Sequence, residues 1–187
     1  LNTFIYMVRH GDSPKEGYER TRGLTAQGYF DAQRVTAILQ EEEIDVVISS
    51  PYTRSILTVE QIAQQIGQRV LVIEDLKEKK FSSVDIRVSD KELVPLLEKS
   101  FSAPNFALEG GESNAECQKR AVKVLKELLK NYKGKKVVIG SHGAVMTLMM
   151  GYYCSNYDLS FLYSTSKPDI YRMEFKDQEL IDVQRLW

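Results

Sequence analysis

Apolar residues in the first half of the chain follow two alternating rhythms. Phe4-Ile5-Tyr6-Met7-Val8 is an uncharged, β-branched and aromatic run that ends at Arg9. It predicts a buried strand over residues 3–8. A polar loop from Pro14 to Gly23 carries charges of both signs. The spacing then changes: Ala32, Val35, Ile38 and Leu39 recur at helical intervals after Leu24-Thr25, with Thr25 placed as an N-cap. Asp45-Val46-Val47-Ile48-Ser49 predicts a second buried strand, stopped by Ser50-Pro51. Ile56, Val59, Ile62, Ala63 and Ile66 predict a helix from Tyr52 to Gly67, the glycine suiting its C-terminus. Val70 to Ile73 supplies a third strand. This β-α-β-α-β order predicts an α/β protein with a mostly parallel central sheet between two helical layers.

Residues 79–111 break the rhythm. Lys91 to Ser100 has the composition of a short helix, and the stretch reads as a lid-like excursion over the sheet mouth within one domain, 1–187. A long helix follows from about Ser113 to Tyr132, with Ala121, Val124, Leu125, Leu128 and Leu129 on one face. Lys136 to Ile139 then predicts a strand, and Ala144 to Tyr153 a helix. The chain ends in a predicted hairpin, Ile170 to Phe175 and Leu180 to Leu186, turning at Asp177-Gln178.

At 187 residues, 43% hydrophobic and 27% charged, the chain can bury a full core without disulfide or metal staples. Its net charge of −1 argues against a nucleic-acid or lipid-surface partner, while leaving room for a local positive pocket. Cys117 and Cys154 lack metal-ligand spacing and read as packed thiols. No membrane span or signal-peptide pattern is present, which predicts a cytoplasmic protein.

The chain has two histidines, and each ends a predicted strand just before a glycine: Arg9-His10-Gly11 and Ser141-His142-Gly143. The second strand is followed by Ser50-Pro51-Tyr52-Thr53-Arg54. Ligands of α/β sheets bind beyond the carboxyl ends of the strands. A parallel sheet therefore brings two guanidinium groups and two imidazoles to one edge, as a site for a dianion.

These residues, with others in the same order, resemble the histidine phosphatase superfamily, the phosphoglycerate mutase-like fold, and in particular its small phosphatases. Arg9-His10-Gly11-Asp12-Ser13 matches the Arg-His-Gly signature. Leu24-Thr25-x-x-Gly28, Ser49-Ser50-Pro51-x-x-Arg54-x-x-x-Thr58, Leu76-x-Glu78, Gly110-Gly111-Glu112-Ser113 and Ser141-His142-Gly143 follow. The resemblance implies His10 as a nucleophile that becomes phosphohistidine, with Arg9, Arg54 and His142 holding the phosphoryl oxygens. Gly11 and Gly143 would let backbone approach the phosphate. Glu78 would protonate the leaving oxygen and then activate water, with Glu74 and Asp75 as neighbouring competitors. Ser13 has two readings, a phosphate donor or a turn residue. Glu112 reads as structural, its carboxylate suiting the dipole at the long helix's start. Neither metal nor cofactor is implied.

Two stretches depart from the commoner pattern. Pro14-Lys15-Glu16-Gly17 stands where many relatives carry Trp-Asn, the Asn helping to bind phosphate. Lys79-Lys80-Phe81-Ser82-Ser83 replaces Phe-Gly-x-Trp-Glu-Gly. Arg20, Arg22, Lys79 and Lys80 read either as rim cations or as solvated side chains. Residues 81–111 carry more acidic than basic groups, which argues against a clamp for a second phosphate and so against a mutase. The expected activity is metal-independent phosphomonoester hydrolysis, on a small phosphorylated metabolite or a phosphoprotein. The alternatives are a phosphoglycerate mutase-type phosphotransferase and a catalytically weak phosphate-binding module.

Overall fold

A computed structural model describes all 187 residues. In β1 (Thr3–Arg9), Ile5 and Met7 pack into one apolar cluster while Tyr6 and Val8 pack into another, all four fully buried. A strand buried on both faces needs a helical layer on each side. One layer is α1 (Ala26–Gln40) with α2 (Thr53–Gln65), which supply Val35, Leu39, Val59 and Ile62. The other is α4 (Asn114–Asn131) with α5 (Gly143–Tyr153), which supply Leu125, Leu129, Met146 and Met149.

The remaining strands are β2 (Val46–Ser49), β3 (Leu71–Val72), β4 (Lys136–Ser141), β5 (Asp169–Lys176) and β6 (Glu179–Arg185). Their order across the sheet is β3-β2-β4-β1-β5-β6. The first four run parallel, and the terminal hairpin adds two antiparallel strands beside β1. Thr25 caps α1 by accepting from the Gly28 amide, and Ser113 with Glu116 forms a capping box at α4.

The third strand differs from the sequence expectation. It has two residues, both exposed, at the sheet edge, and runs into a 3₁₀ turn over Glu74–Leu76. The helix expected at 91–100 is α3 (Asp90–Ser102), capped by Ser89. A short α6 (Leu159–Ser164), capped by Asp158, was not anticipated. Leu97 of α3, Leu162 of α6 and Ala144 of α5 form a small third core, joining the excursion to the main body.

Register positions the site. Arg9 pairs with Ser141, and Ser49 with Gly140, so β1, β4 and β2 finish level. The next residues are His10, His142 and Ser50.

Candidate active site

His10 follows β1 and is 5% exposed. Its Nδ1 lies 2.7 Å from the Gly11 carbonyl. A carbonyl only accepts, so Nδ1 carries the proton and the lone pair lies on Nε2. Arg54 Nε donates to that Nε2 at 3.3 Å. Burial, then the charges of Arg54 and Arg9, hold the imidazole well below the ordinary histidine range. A buried, neutral imidazole with its lone pair beside a guanidinium group has the chemistry that nucleophilic attack on an anion requires.

Arg54 begins α2 and is 1% exposed. Its Nη2 donates to the Glu19 carboxylate at 2.9 Å, and its Nη1 donates to the Glu19 carbonyl. Thr58, one turn later, donates to the Arg54 carbonyl at 2.7 Å and accepts from the Gly11 amide at 3.0 Å. The Arg-x-x-x-Thr spacing thus joins the first turn of α2 to the corner that carries His10.

Arg9 donates from Nη1 to Thr165 Oγ1. Its guanidinium lies against Gly143, where an added Cβ would stand 2.8 Å from Arg9 Cζ. Gly143 therefore makes room for the cation. Gly11 packs against α1, an added Cβ standing 3.1 Å from the Gly28 carbonyl oxygen. For both glycines, the close approach in the structure is to protein.

His142 is fully buried, with its ring centroid 5.2 Å from that of His10. One ring nitrogen, Nε2, lies 2.7 Å from Ser50 Oγ. Burial first, then Arg54, keeps this imidazole well below its usual range as well. The buried side-chain polar atoms without a partner are Arg9 Nε, His142 Nδ1, Ser141 Oγ and Tyr153 Oη. Three of the four belong to the ends of β1 and β4, so unmet hydrogen-bonding capacity concentrates at this mouth.

Glu78 lies across the start of α5. Its Oε1 accepts from the Val145 amide at 2.8 Å and the Lys79 amide at 2.7 Å, and its Oε2 from Ala144 at 3.0 Å. A carboxylate suits a helix N-terminus. Arg120 of α4 fixes the backbone here, donating to the carbonyls of Asp75 at 2.7 Å, Lys77 at 2.9 Å and Glu78 at 3.2 Å.

A cavity of about 390 Å³ opens between these groups. His10, Arg9, Arg54 and Glu78 line it, as do residues 79–88 and Lys167. Nine of its lining side chains are basic and three acidic, so the local field is strongly positive despite the overall charge of −1. The acidic balance of residues 81–111 misjudged this wall, because Arg20, Arg22, Lys77, Lys79, Lys80 and Lys167 come from elsewhere in the chain.

Other expectations are redirected. Ser13 donates to the Gly23 carbonyl at 2.6 Å and accepts from Arg22 at 2.7 Å, holding the turn. Lys79 is buried, with its ammonium 2.7 Å from Asn114 Oδ1, and is not a solvated lysine. Glu112 pairs with Arg120 and accepts from the Lys80 amide at 3.0 Å, while Ser113 and Glu116 cap the helix. No group of three His, Cys, Asp or Glu side chains gathers into a metal-binding arrangement. No helix is long and apolar enough to cross a membrane.

The pattern of the histidine phosphatase superfamily (branch 1) matches residues 5–183. The chain belongs to that superfamily.

This histidine phosphatase is 25% identical over 153 residues to an uncharacterised phosphatase, PhoE, of Bacillus subtilis, covering 79% of this chain and 76% of that one. It is 27% identical over 176 residues to phosphoserine phosphatase 1 of Hydrogenobacter thermophilus, covering 86% and 80% respectively. Phosphoserine phosphatase of Entamoeba histolytica, solved in complex with 3-phosphoglyceric acid, superposes with a TM-score of 0.80. That pair is 22% identical, covering 99% of this chain and 97% of the other, and shows the shared fold. No asparagine lines the cavity, and Arg22 is among the residues that do. Glu19, Arg120 and Lys167 were missed from sequence, since nothing local distinguishes them from surface charges.

Proposed function

We propose that this phosphatase hydrolyses phosphomonoesters without a metal, through a phosphohistidine on His10. The observation that carries this reading is the buried His10 Nε2, unprotonated and flanked by Arg54. In the first step the Nε2 lone pair attacks phosphorus and the ester P–O bond breaks. Arg9, Arg54 and His142 stabilise the phosphoryl oxygens. Glu78, in its protonated form, gives its proton to the departing alkoxide. In the second step Glu78 takes a proton from water, whose oxygen attacks phosphorus. The P–N bond breaks, releasing phosphate and neutral His10. Guanidinium groups supply the charge that a metal ion provides elsewhere. A cavity of about 390 Å³ suits a small phosphorylated metabolite better than a folded phosphoprotein.

The test compares wild type with His10→Ala on nitrophenyl phosphate and on phosphorylated metabolites, with chelator present. Phosphate release should survive the chelator and vanish in the variant. Normal turnover by His10→Ala, or loss of wild-type activity to the chelator, overturns the mechanism. The cationic wall also favours a second reading, a phosphoglycerate mutase. Isomerisation of 3-phosphoglycerate outpacing phosphate release would establish it.

A further inference from the structure

We propose that Ser50 is a positioning residue: its hydroxyl donates to His142 Nε2, fixing that imidazole as the Nδ1–H tautomer and leaving Nδ1–H as the donor to a phosphoryl oxygen. This deepens the mechanism proposed above and rests on His142 acting there as a donor.

Ser50 follows β2, is fully buried and does not line the cavity, so it can act on a substrate only through a neighbour. Its backbone is pinned on both sides. The amide donates to the Gly140 carbonyl at 2.9 Å, and the carbonyl accepts from Ser49 Oγ at 2.8 Å. The side-chain oxygen has two partners: the Tyr52 amide donates to it at 3.2 Å, and His142 Nε2 lies 2.7 Å away. A hydroxyl has one proton to give and two lone pairs to fill. The Tyr52 amide takes a lone pair, which leaves His142 Nε2 as the partner able to accept the proton. Protonating Nε2, in the other neutral tautomer or in the imidazolium, would reverse that contact. Ser50 Oγ would then accept twice, with its own proton buried and without an acceptor.

A neutral ring that accepts at Nε2 carries its proton on Nδ1. That nitrogen is the buried His142 atom with no partner in the protein, on a ring whose centroid lies 5.2 Å from that of His10. Tyr52 packs edge-on against the same ring, 5.1 Å between centroids, so one residue holds both the imidazole plane and the Ser50 lone pair. The two imidazoles share a tautomer and use it oppositely: His10 offers a lone pair at Nε2, and His142 a proton at Nδ1.

With only two histidines in the chain, nitrogen-labelled protein resolves both rings in a long-range proton–nitrogen correlation spectrum, and His142→Asn gives the assignment. At neutral pH, wild type should show His142 protonated at Nδ1 and bare at Nε2. Ser50→Ala should abolish that single-tautomer pattern while His10 keeps its own. A protonated Nε2 in wild type, or an unchanged pattern in Ser50→Ala, overturns the proposal. In turnover, Ser50→Ala should lower kcat at least about tenfold with KM within about twofold, as for a weakened transition-state donor. In a His142→Asn background the same substitution should change kcat less than about twofold, because its effect passes through the imidazole. Fully multiplicative losses, or wild-type kcat in Ser50→Ala, reject the positioning role. The spectra need no turnover: if wild type hydrolyses no ester, the proposed function fails on its own, and the tautomer pattern still decides whether Ser50 sets His142.

Discussion

Glu78 is asked to do two things, and Glu78→Gln separates them. The carboxylate accepts three backbone hydrogen bonds, two of them from the first turn of α5. Glutamine keeps one oxygen. Its cheapest orientation leaves that oxygen on Val145 and Lys79 and turns the NH₂ toward the Ala144 amide, so one charge-assisted bond becomes a clash of donors. Losing such a bond costs ~1.5–3 kcal/mol, and losing negative charge at a helix N-terminus ~0.3–1 kcal/mol more. Glu78 is only partly buried, which puts the expectation near the lower end, about 2 kcal/mol. For a chain of this size that lowers Tm by roughly 4–8 °C.

The catalytic effect has a different signature. Proton donation to a poor alkoxide leaving group contributes ~10²–10⁴-fold, whereas nitrophenolate leaves without help. At 25 °C, where the variant is folded, kcat on an alkyl phosphate should fall at least about 100-fold, and on nitrophenyl phosphate less than about tenfold. Thermal unfolding followed by circular dichroism gives the first number, and parallel kinetics on the two esters the second. Equal losses on both esters would reduce Glu78 to a helix cap. An unchanged Tm would refute the account of α5.

Two further perturbations test the framework. Thr58→Val keeps the shape but leaves the buried Gly11 amide unpaired, at a cost of about 1–3 kcal/mol. The urea midpoint and kcat should both fall, Thr58→Ser should restore both, and a Val variant with wild-type kcat would show that the link to Gly11 is not needed. His10 and His142 are both held neutral, well below the ordinary value of 6.5 that they regain on unfolding. Below that value the unfolded chain binds more protons than the folded one, so stability falls with acidification, by up to about 1.4 kcal/mol per pH unit for each histidine. Urea unfolding at pH 7 and 5.5 measures the drop, and His142→Asn should roughly halve it. No dependence in wild type would mean that the imidazoles are not buried neutral.

The sequence made most of the framework legible because the signals there are local. Ile5 and Met7 alternate with Tyr6 and Val8, and all four are apolar, which already demands a strand covered on both faces. The positions of His10, Arg54 and His142 follow from that, since parallel strands of matched register must present their ends together. Short elements were harder to read. In α6, six residues offer a single i,i+3 apolar pair, Leu159 and Leu162, as a periodic signal, and its fixed points are Asp158 and the packing of Leu162 on Leu97 and Ala144.

What sequence could not deliver was pairing across distance. Glu19 looks like any loop carboxylate until it meets Arg54, and Arg120 looks like an exposed helix cation until it gathers the carbonyls around Glu78. Counting charge over a contiguous interval failed for the same reason. The field inside a cavity is set by whichever side chains the fold turns toward it, and here these come from five separated stretches. The acidic groups of 81–111 mostly face away from the cavity: of Asp85, Asp90, Glu92, Glu98 and Glu109, only Asp85 lines it. An electrostatic argument about binding therefore has to follow the topology. Once it does, Arg87 of that interval and cations from four other stretches, Lys167 among them, turn out to line one cavity.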